Sequence, residues 1–570
     1  MQHYAERISA HLTEIAALLE FSGESRFKVD AYRHAAEVVN ALGDELGPIV
    51  EQGRLQKFQG LGPVLSRQIE EMWSSGTSEL LNRLRAEQPA GAAELMEVEG
   101  LTPRRIVALQ DALGIRSVQE LGAACAAGRV RTVRGFGEKT EARLAAGVER
   151  WLTRKKTEPE PMLLSDALSL ANLVRERLLR VMERAELAGA LRRGEETVRE
   201  LEFVVVGDAE RALRELSALP QVLRVDFVNG TAVLSQGVRL KLHTTEPAKL
   251  GNALVLATGN AAHVECLLAR GAALSVHDFD SERALYEAVG CAPVPPELRA
   301  GKDELVEAEH TGFRDLLEVD DIQGMVHCHT TYSDGKNSVE EMALAAHALG
   351  MKYITITDHS PSAHYARGVT LDRLKMQWDE IAAVQEKVPV RILRGAESDI
   401  LADGRLDYPD AVLEQFDILI ASIHARYRMD RATMTNRLLR AVSLPVFKVW
   451  GHPLGRILNH REAIDCDVPA ILDSLAGSRG AIEVNADPHR LDLPPPWIAE
   501  ARARGIPFLV SVDAHSTRGL SVLRYGVTMA RRGGVRKREV LNACDAETFA
   551  ARVRPVPDVA QQARATAAPR

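Results

Sequence analysis

MVHCHTTYSDG, residues 325–335, runs from a short β-rich stretch through two alternating histidines to an aspartate in a Ser-Asp-Gly turn. Five later segments are likewise apolar runs closed by an imidazole or a carboxylate: YITITDH (353–359), VRILRGAE (390–397), DILIASIH (417–424), VFKVWGH (446–452) and FLVSVDAH (508–515). Helical stretches such as SVEEMALAAHALG (338–350) separate them. Strand and helix in alternation, with polar residues at the strand C-termini, predict a parallel (β/α) barrel with its site on the C-terminal face.

The residue types narrow the chemistry. Imidazole suits zinc, manganese or iron, and a carboxylate can bridge two ions while taking up part of their charge. The candidate ligands are His327, His329, Asp334, His359, Glu397, His424, His452, Asp513 and His515, six imidazoles and three acids. That set suffices for three divalent ions at three or four ligands each. A lone strand-end histidine is more often a packed or surface residue; recurrence at successive strand ends is what points to a metal cluster. Asp358, next to His359, is expected to orient a histidine.

Upstream of the barrel, the 570-residue chain is too long for one core. TRKKTEPEPM (153–162) and CAPVPPELRAGKDELVEAEHTG (291–312) read as breaks that leave three blocks. Hydrophobic residues at 46% and charged residues at 26% exclude extended disorder. Long apolar runs and a signal-peptide pattern are lacking, so a cytoplasmic protein with no membrane partner is expected. Six scattered cysteines without a CxxC pair indicate neither a disulfide framework nor a thiolate zinc site. A net charge of −8 argues against a chain that coats nucleic acid everywhere, yet nine Arg or Lys stand against three Glu between Arg129 and Lys156.

The first block reads as short amphipathic helices and carries a repeat: FQGLGPVLSRQI (58–69), VEGLTPRRIVAL (98–109) and VRGFGEKTEARL (133–144). Each is a hydrophobe, a glycine turn and a helix. Glycine admits close backbone approach, and N–H groups at the helix start face an anion. One such turn is merely a helix connection; three, the last inside the basic stretch, predict sequence-independent phosphate binding by Gly60, Gly62, Gly100, Gly135, Gly137 and Lys139. The second block opens with helix and turns to short strands, with a hairpin marked by Asn229-Gly230 in VLRVDFVNGTAVLS (222–235).

These repeats resemble the helix-hairpin-helix elements of family X DNA polymerases, and FKVDAYRHAAEVV (27–39) resembles that family's N-terminal helix. The second repeat departs in having Thr102 for the second glycine. Gln68 stands where the eukaryotic repair members carry a Schiff-base lysine, and an amide cannot form an imine, so no deoxyribose-phosphate lyase is implied. GALRRGEETVRELEFVVV (189–206), LATGN (256–260) and PPELR (295–299) resemble the nucleotidyltransferase palm and thumb. Arg192 and Arg193 would hold a phosphate there. Glu200 and Glu202 replace the metal-binding aspartates, and Lys241 the third. An added methylene displaces a carboxylate by roughly 1.5 Å, and misplacement by about 1 Å can cost a hundredfold in rate. Asp226 is a possible substitute. The expectation is an impaired palm, with Mg²⁺ or Mn²⁺ and dNTP binding compromised; the alternative is an active gap-filling polymerase using Glu ligands.

The constellation HxH, SDG, TDH, GxE, SxH, GHP and SxDAH resembles the polymerase-and-histidinol-phosphatase (PHP) domain. The resemblance implies one ion on His327, His329, Glu397 and Asp513, the catalytic set; a second on Glu397, His424 and His452; and a third on Asp334, His359 and His515. Arg437, Arg456 and Arg490 are candidate phosphate clamps. The whole resembles bacterial PolX, and implies helix-hairpin-helix regions at 1–83 and 84–152, a palm and thumb at 162–315, and a PHP barrel at 320–570. Manganese-dependent 3′-to-5′ exonuclease action on DNA in repair, on gapped, primer-terminus or single-stranded ends, is the implied activity, with zinc or iron as other possible metals.

Overall fold

A computed structural model of the chain describes residues 2–22, 24–42, 46–57, 61–87, 95, 98, 100–156, 161–219, 222–234, 238–271 and 277–555. The chain divides into two compact units, Met1–Glu158 and Pro159–Arg570. The first is helical and holds two apolar cores. Helices Gln2–Phe21 and Arg26–Leu42 bury stripes at helical spacing, Ile8, Leu12, Ile15 and Leu19 against Val29, Tyr32, Ala36 and Val39. The second core gathers Ile106, Leu109, Val118, Leu121, Leu144 and Val148 from helices Pro103–Leu113, Val118–Ala126 and Glu138–Lys156.

In the second unit, helix Leu164–Leu178 leads into a five-stranded sheet. Its strands are β1 (Arg184–Ala188), β2 (Glu200–Val206), β3 (Val222–Asp226), β4 (Thr231–Leu234) and β5 (Arg239–Thr245), ordered β1-β2-β5-β4-β3. Only β2 and β5 run parallel, and their register sets Glu202 opposite Lys241. The hairpin between β3 and β4 turns through four residues rather than two, because Asp226 pairs with Thr231. The Asp226 carboxylate accepts the N–H groups of Val228 and Asn229 at 3.0 and 3.1 Å and the Asn229 amide at 2.7 Å, so it caps this turn.

Seven further strands form the barrel: β6 (Gly324–Cys328), β7 (Tyr353–Ile356), β8 (Arg391–Asp399), β9 (Ile418–Ser422), β10 (Val449–Trp450), β11 (Ala481–Asn485) and β12 (Phe508–Ser511). They lie side by side in sequence order, all parallel. The N–H groups of Val512 and Ala514 reach the carbonyls of Val326 and His327, which closes the ring. Every residue of β6, β7, β9, β11 and β12 is buried, as expected of parallel strands covered on both faces. β11 ends in none of the anticipated ligands.

The palm-like sheet and the barrel share one contiguous core running from Leu170 and Phe203 to Ile482 and Val510. Charged pairs tie the segments flanking that sheet to the barrel as well: Arg456 to Glu196 at 2.8 Å, Arg532 to Glu195 at 2.5 Å and Arg531 to Glu297 at 2.8 Å. Among the described residues, no helix is long and apolar enough to cross a membrane.

Candidate metal centre

β6 positions the first two ligands through an irregularity. Its register against β7 shifts between Met325 and Cys328, and His327 takes the left-handed φ of 65°. The side chains of Thr355 and Thr357 then accept the N–H groups of His327 and Cys328 at 3.1 and 3.0 Å in place of ladder carbonyls. A bulge of this kind re-aims a side chain. His452 and Asp513 also lie at positive φ, 23° and 48°. Strained backbone at three non-glycine residues of one cluster is a mark of a functional site.

All nine anticipated ligands converge at the C-terminal strand ends, with Glu397 of β8 at their centre. Its carboxylate lies 2.8 Å from His359 Nδ1 and His452 Nε2, 3.2 Å from His424 Nε2, 3.3 Å from His327 Nε2 and 3.7 Å from His329 Nε2. Asp513 Oδ1 stands 3.3 Å from His329 Nε2 and 3.6 Å from His327 Nε2. Asp334 Oδ1 stands 3.4 Å from His515 Nε2 and 3.6 Å from His359 Nε2.

Among the described residues, three groupings place one donor atom from each member within 4.8 Å of the others: His327, His329 and Asp513; His359, Glu397 and His424; and His329, Asp334, His359 and His515. His329 and His359 thus each belong to two groupings, and His452 adjoins the second, 3.2 Å from His424.

The donor set fits divalent ions. Nε2 of His327, both nitrogens of His329, Nδ1 of His359, Oδ1 of Asp334 and Oε2 of Glu397 are buried without a hydrogen-bond partner. Buried polar atoms are nearly always satisfied, and a shared cluster of such orphans aimed at one another calls for cations between them. Burial alone would raise the Glu397 carboxyl, but the imidazoles of His424, His359 and His327 hold it well below the usual carboxylate range. Asp513 is likewise driven well down by His327, His329 and His515, against its burial. Burial pushes His329 down to about 3, aided by neighbouring His515 and His359, which leaves that ring neutral with a lone pair to give.

Two supporting acids were not legible as ligands. Glu483, in the middle of β11 and fully buried, accepts His327 Nδ1 at 2.6 Å and the His452 backbone N–H. Asp399 accepts His424 Nδ1 at 2.5 Å. Each fixes which ring nitrogen faces the cluster. The available signal for Glu483 was a single carboxylate interrupting the apolar strand AIEVN (481–485). Glu483→Gln is expected to weaken metal binding by about 10–100-fold, as loss of such a partner does, and chelator competition measures it. Asp358 differs from its expected role: it takes hydrogen bonds from Thr330, Ser333 and Gln377, and so fixes the loop after His329 instead of a histidine ring.

The arginines separate. Arg490 lies at the cluster, 3.5 Å from Asp513 Oδ2, with a buried Nη1 that has no partner. Arg437 does not: its guanidinium is buried against the carbonyls of Ile400, Leu401 and Ala425, leaving no face for a phosphate. Arg456 is occupied by Glu196 and the Leu491 carbonyl. Beside the palm-like sheet Arg192, at the end of the short helix Gly189–Arg192, forks onto Glu282 at 2.6 and 2.8 Å, and Arg193 donates to the Thr258 carbonyl at 2.8 Å. Glu202 meets His243 at 2.8 Å, and Glu200 lies 3.8 Å from Arg239.

The hairpin glycines repeat their backbone, Gly100 at φ 95° and Gly135 at 92°. A side chain at Gly62, Gly135 or Gly137 would meet open space, and Lys139 is exposed. Thr102 caps helix Pro103–Leu113 by accepting the Arg105 N–H, so that donor is unavailable to an anion. Gln68 accepts the Tyr32 hydroxyl at 2.7 Å. Gly60 lies outside the described residues.

Comparison with known proteins accords with this organisation. Residues 4–78 match a helix-hairpin-helix domain, 92–150 a SAM-like helix-hairpin-helix tandem and 326–486 the PHP domain. A probable phosphatase of Caldicellulosiruptor bescii is 32% identical over 133 residues, 22% of this chain and 52% of its own. The histidinol phosphate phosphatase structure from Lactococcus lactis, complexed with zinc, L-histidinol and phosphate, covers 37% of this chain and 94% of its own, at 16% identity and a TM-score of 0.29. The DNA polymerase/3′-5′ exonuclease PolX of Bacillus subtilis is 32% identical over 556 residues, 93% of this chain and 96% of the relative. Similarity that runs the length of both chains means that this chain belongs to the PolX family.

Proposed function

We propose that the chain is a metal-dependent 3′-to-5′ exonuclease acting on DNA ends in repair, with the barrel as its catalytic part and the helical unit as its grip on DNA. One observation carries the reading: Glu397 and eight other imidazole and carboxylate side chains gather at one end of the barrel, five of the imidazoles within 3.7 Å of Glu397 and several of the buried atoms lacking any other partner. The name of the B. subtilis relative supports the same activity. Three ions, with manganese preferred over zinc or iron, would be held by His327, His329, Glu397 and Asp513; by Glu397, His424 and His452; and by Asp334, His359 and His515. When bound they supply Lewis acidity toward the phosphoryl oxygens and lower the pKa of a water.

The chain's own groups do the rest. Arg490 faces the same space beside Asp513 and can pair with a non-bridging phosphate oxygen. Glu483 and Asp399 hold His327 and His424 in their tautomers. Gly62, Gly100, Gly135, Gly137 and Lys139 would lie along the DNA backbone without reading bases.

The palm is proposed to be impaired as a polymerase. Its two glutamates have cationic or imidazole neighbours in Arg239 and His243, Lys241 faces Glu202 across the strand pair, and Asp226 is held in a turn. Purified protein with Mn²⁺ is expected to degrade labelled single-stranded and gapped DNA and to extend no primer with dNTPs. Undiminished degradation by a His327→Ala/His329→Ala double variant would remove the site assignment. Template-dependent extension that Glu202→Ala abolishes would restore the polymerase.

A further inference from the structure

We propose that Tyr365 is a stacking platform that accepts an unpaired 3′-terminal base beside the metal centre; this rests on the exonuclease reading and names the DNA feature it selects. Tyr365 sits in the short turn His364–Ala366, shortly after the cluster residue His359. Its ring is edge-on to His359 with centroids 5.9 Å apart, and its centroid is 6.1 Å from that of His424. Yet the residue is 67% exposed, while Ala363 and Ala366 on either side are buried. A large ring has been set outward at the mouth of the site while the small residues anchor the turn.

The turn is fastened rather than loose. Arg367 takes the left-handed φ of 57°, and its guanidinium donates to the Ser333 carbonyl in the loop after His329. Arg373 donates to the carbonyls of Arg367 and Tyr332. The Val369 N–H returns to the His359 carbonyl at 2.8 Å, and the Gly368 N–H to that of Ala363 at 3.1 Å. The ring is therefore presented by a backbone that is tied both to the β6 loop and to the His359 segment.

A second tyrosine near the cluster makes the contrast. Tyr427, three residues after His424, has the Arg461 guanidinium 4.0 Å from its ring centroid, so one of its faces is already covered. The exposed ring of Tyr365 is the one open to a ligand. Every base offers a π-face, so such a platform tolerates any sequence, but it can take only a base that has left its duplex stack. The selected substrate is then a single-stranded or frayed 3′ end.

The test uses the full chain loaded with Mn²⁺ and 5′-labelled single-stranded oligonucleotides that differ only in whether the 3′-terminal nucleotide carries a base or is abasic. Wild-type protein is expected to lose about tenfold in kcat/KM on the abasic end, in the range of one base–aromatic stack. Tyr365→Ala should lose the same factor on normal DNA and nothing more on the abasic end, the non-additivity of two changes that remove one contact. Tyr365→Phe should behave as wild type, and all variants should retain their metal by elemental analysis. Tyr365→Ala cleaving normal DNA as fast as wild type, or Tyr365→Phe falling as far as Tyr365→Ala, would overturn the proposal. If metal-loaded wild-type protein cleaves no DNA at all, the exonuclease reading fails and takes this one with it, which separates the two failures.

Discussion

Glu397→Gln should cost the protein most of its bound metal and lower DNA hydrolysis by about 1000-fold, roughly 4 kcal/mol of transition-state stabilisation. The substitution keeps the volume of the side chain and removes only its charge. That charge sits within 2.8–3.7 Å of five imidazoles, those of His327 and His452 among them. A neutral amide cannot bridge two cations, and it offers one acceptor oxygen where the carboxylate offers two. In the metal-free state the same change leaves buried imidazoles without their counter-charge, and removing one partner of a buried pair typically destabilises by about 3–5 kcal/mol. Elemental analysis, exonuclease kinetics and thermal unfolding with and without chelator should therefore all move together. A variant that keeps its full metal content and its rate would show that Glu397 is not the hub.

The candidate ligands were legible because all but Asp334, which lies in the Ser-Asp-Gly turn, stand at the close of a short apolar run, and strand ends of a parallel barrel meet on one face whatever their separation in sequence. His327 and His329 needed only their own segment to be noticed. Glu483 could not be found that way: its partner His327 is 156 residues distant, and nothing in AIEVN marks an inward acid as an orienting group until β11 is placed in the ring. Arg490 does stand at the cluster, whereas Arg456 meets the same limit in reverse. Arg456 follows a ligand motif and looked like a phosphate clamp, but its partner Glu196 lies 260 residues upstream, in the turn before the palm-like sheet's strand β2. Asp226 reads in the sequence as an unassigned acid, and only the folded turn shows that the backbone N–H groups of Val228 and Asn229 engage it. The hairpin glycines were legible as a repeat, and the matching positive φ of Gly100 and Gly135 shows why glycine recurs there.

Metal loading should also depend steeply on pH, weakening as pH falls. In the metal-free protein burial alone would depress His424, but Glu397 and Asp399 lift it to about 10. Asp334 and Asp513 lift His515 to about 9 against its burial, and Glu483, Asp513 and Glu397 lift His327 well above the ordinary imidazole value. Near neutrality these three rings carry protons that a ligating nitrogen must give up, so loading releases them. Each displaced proton weakens apparent affinity by about tenfold per pH unit; the three rings fall one to each ion site, so each site weakens by roughly 100-fold between about pH 8 and pH 6. Asp334, held near 2 by His515 despite its burial, stays ionised throughout and adds nothing to the slope.

Stability carries the opposite sign when metal is absent. A histidine whose folded pKa exceeds its unfolded value stabilises fully below the unfolded pKa, here the ordinary 6.5, and loses that contribution as pH climbs through the folded values of about 9 and about 10. Chelated protein should thus melt lower as pH rises from 6.5 toward 10, while protein with excess metal melts higher over the near-neutral part of that window as binding tightens. Thermal scans of both forms in matched buffers, with proton release followed by calorimetry in buffers of different ionisation enthalpy, measure the two slopes. Parallel slopes, or loading without proton release, would mean that these imidazoles do not exchange protons for metal.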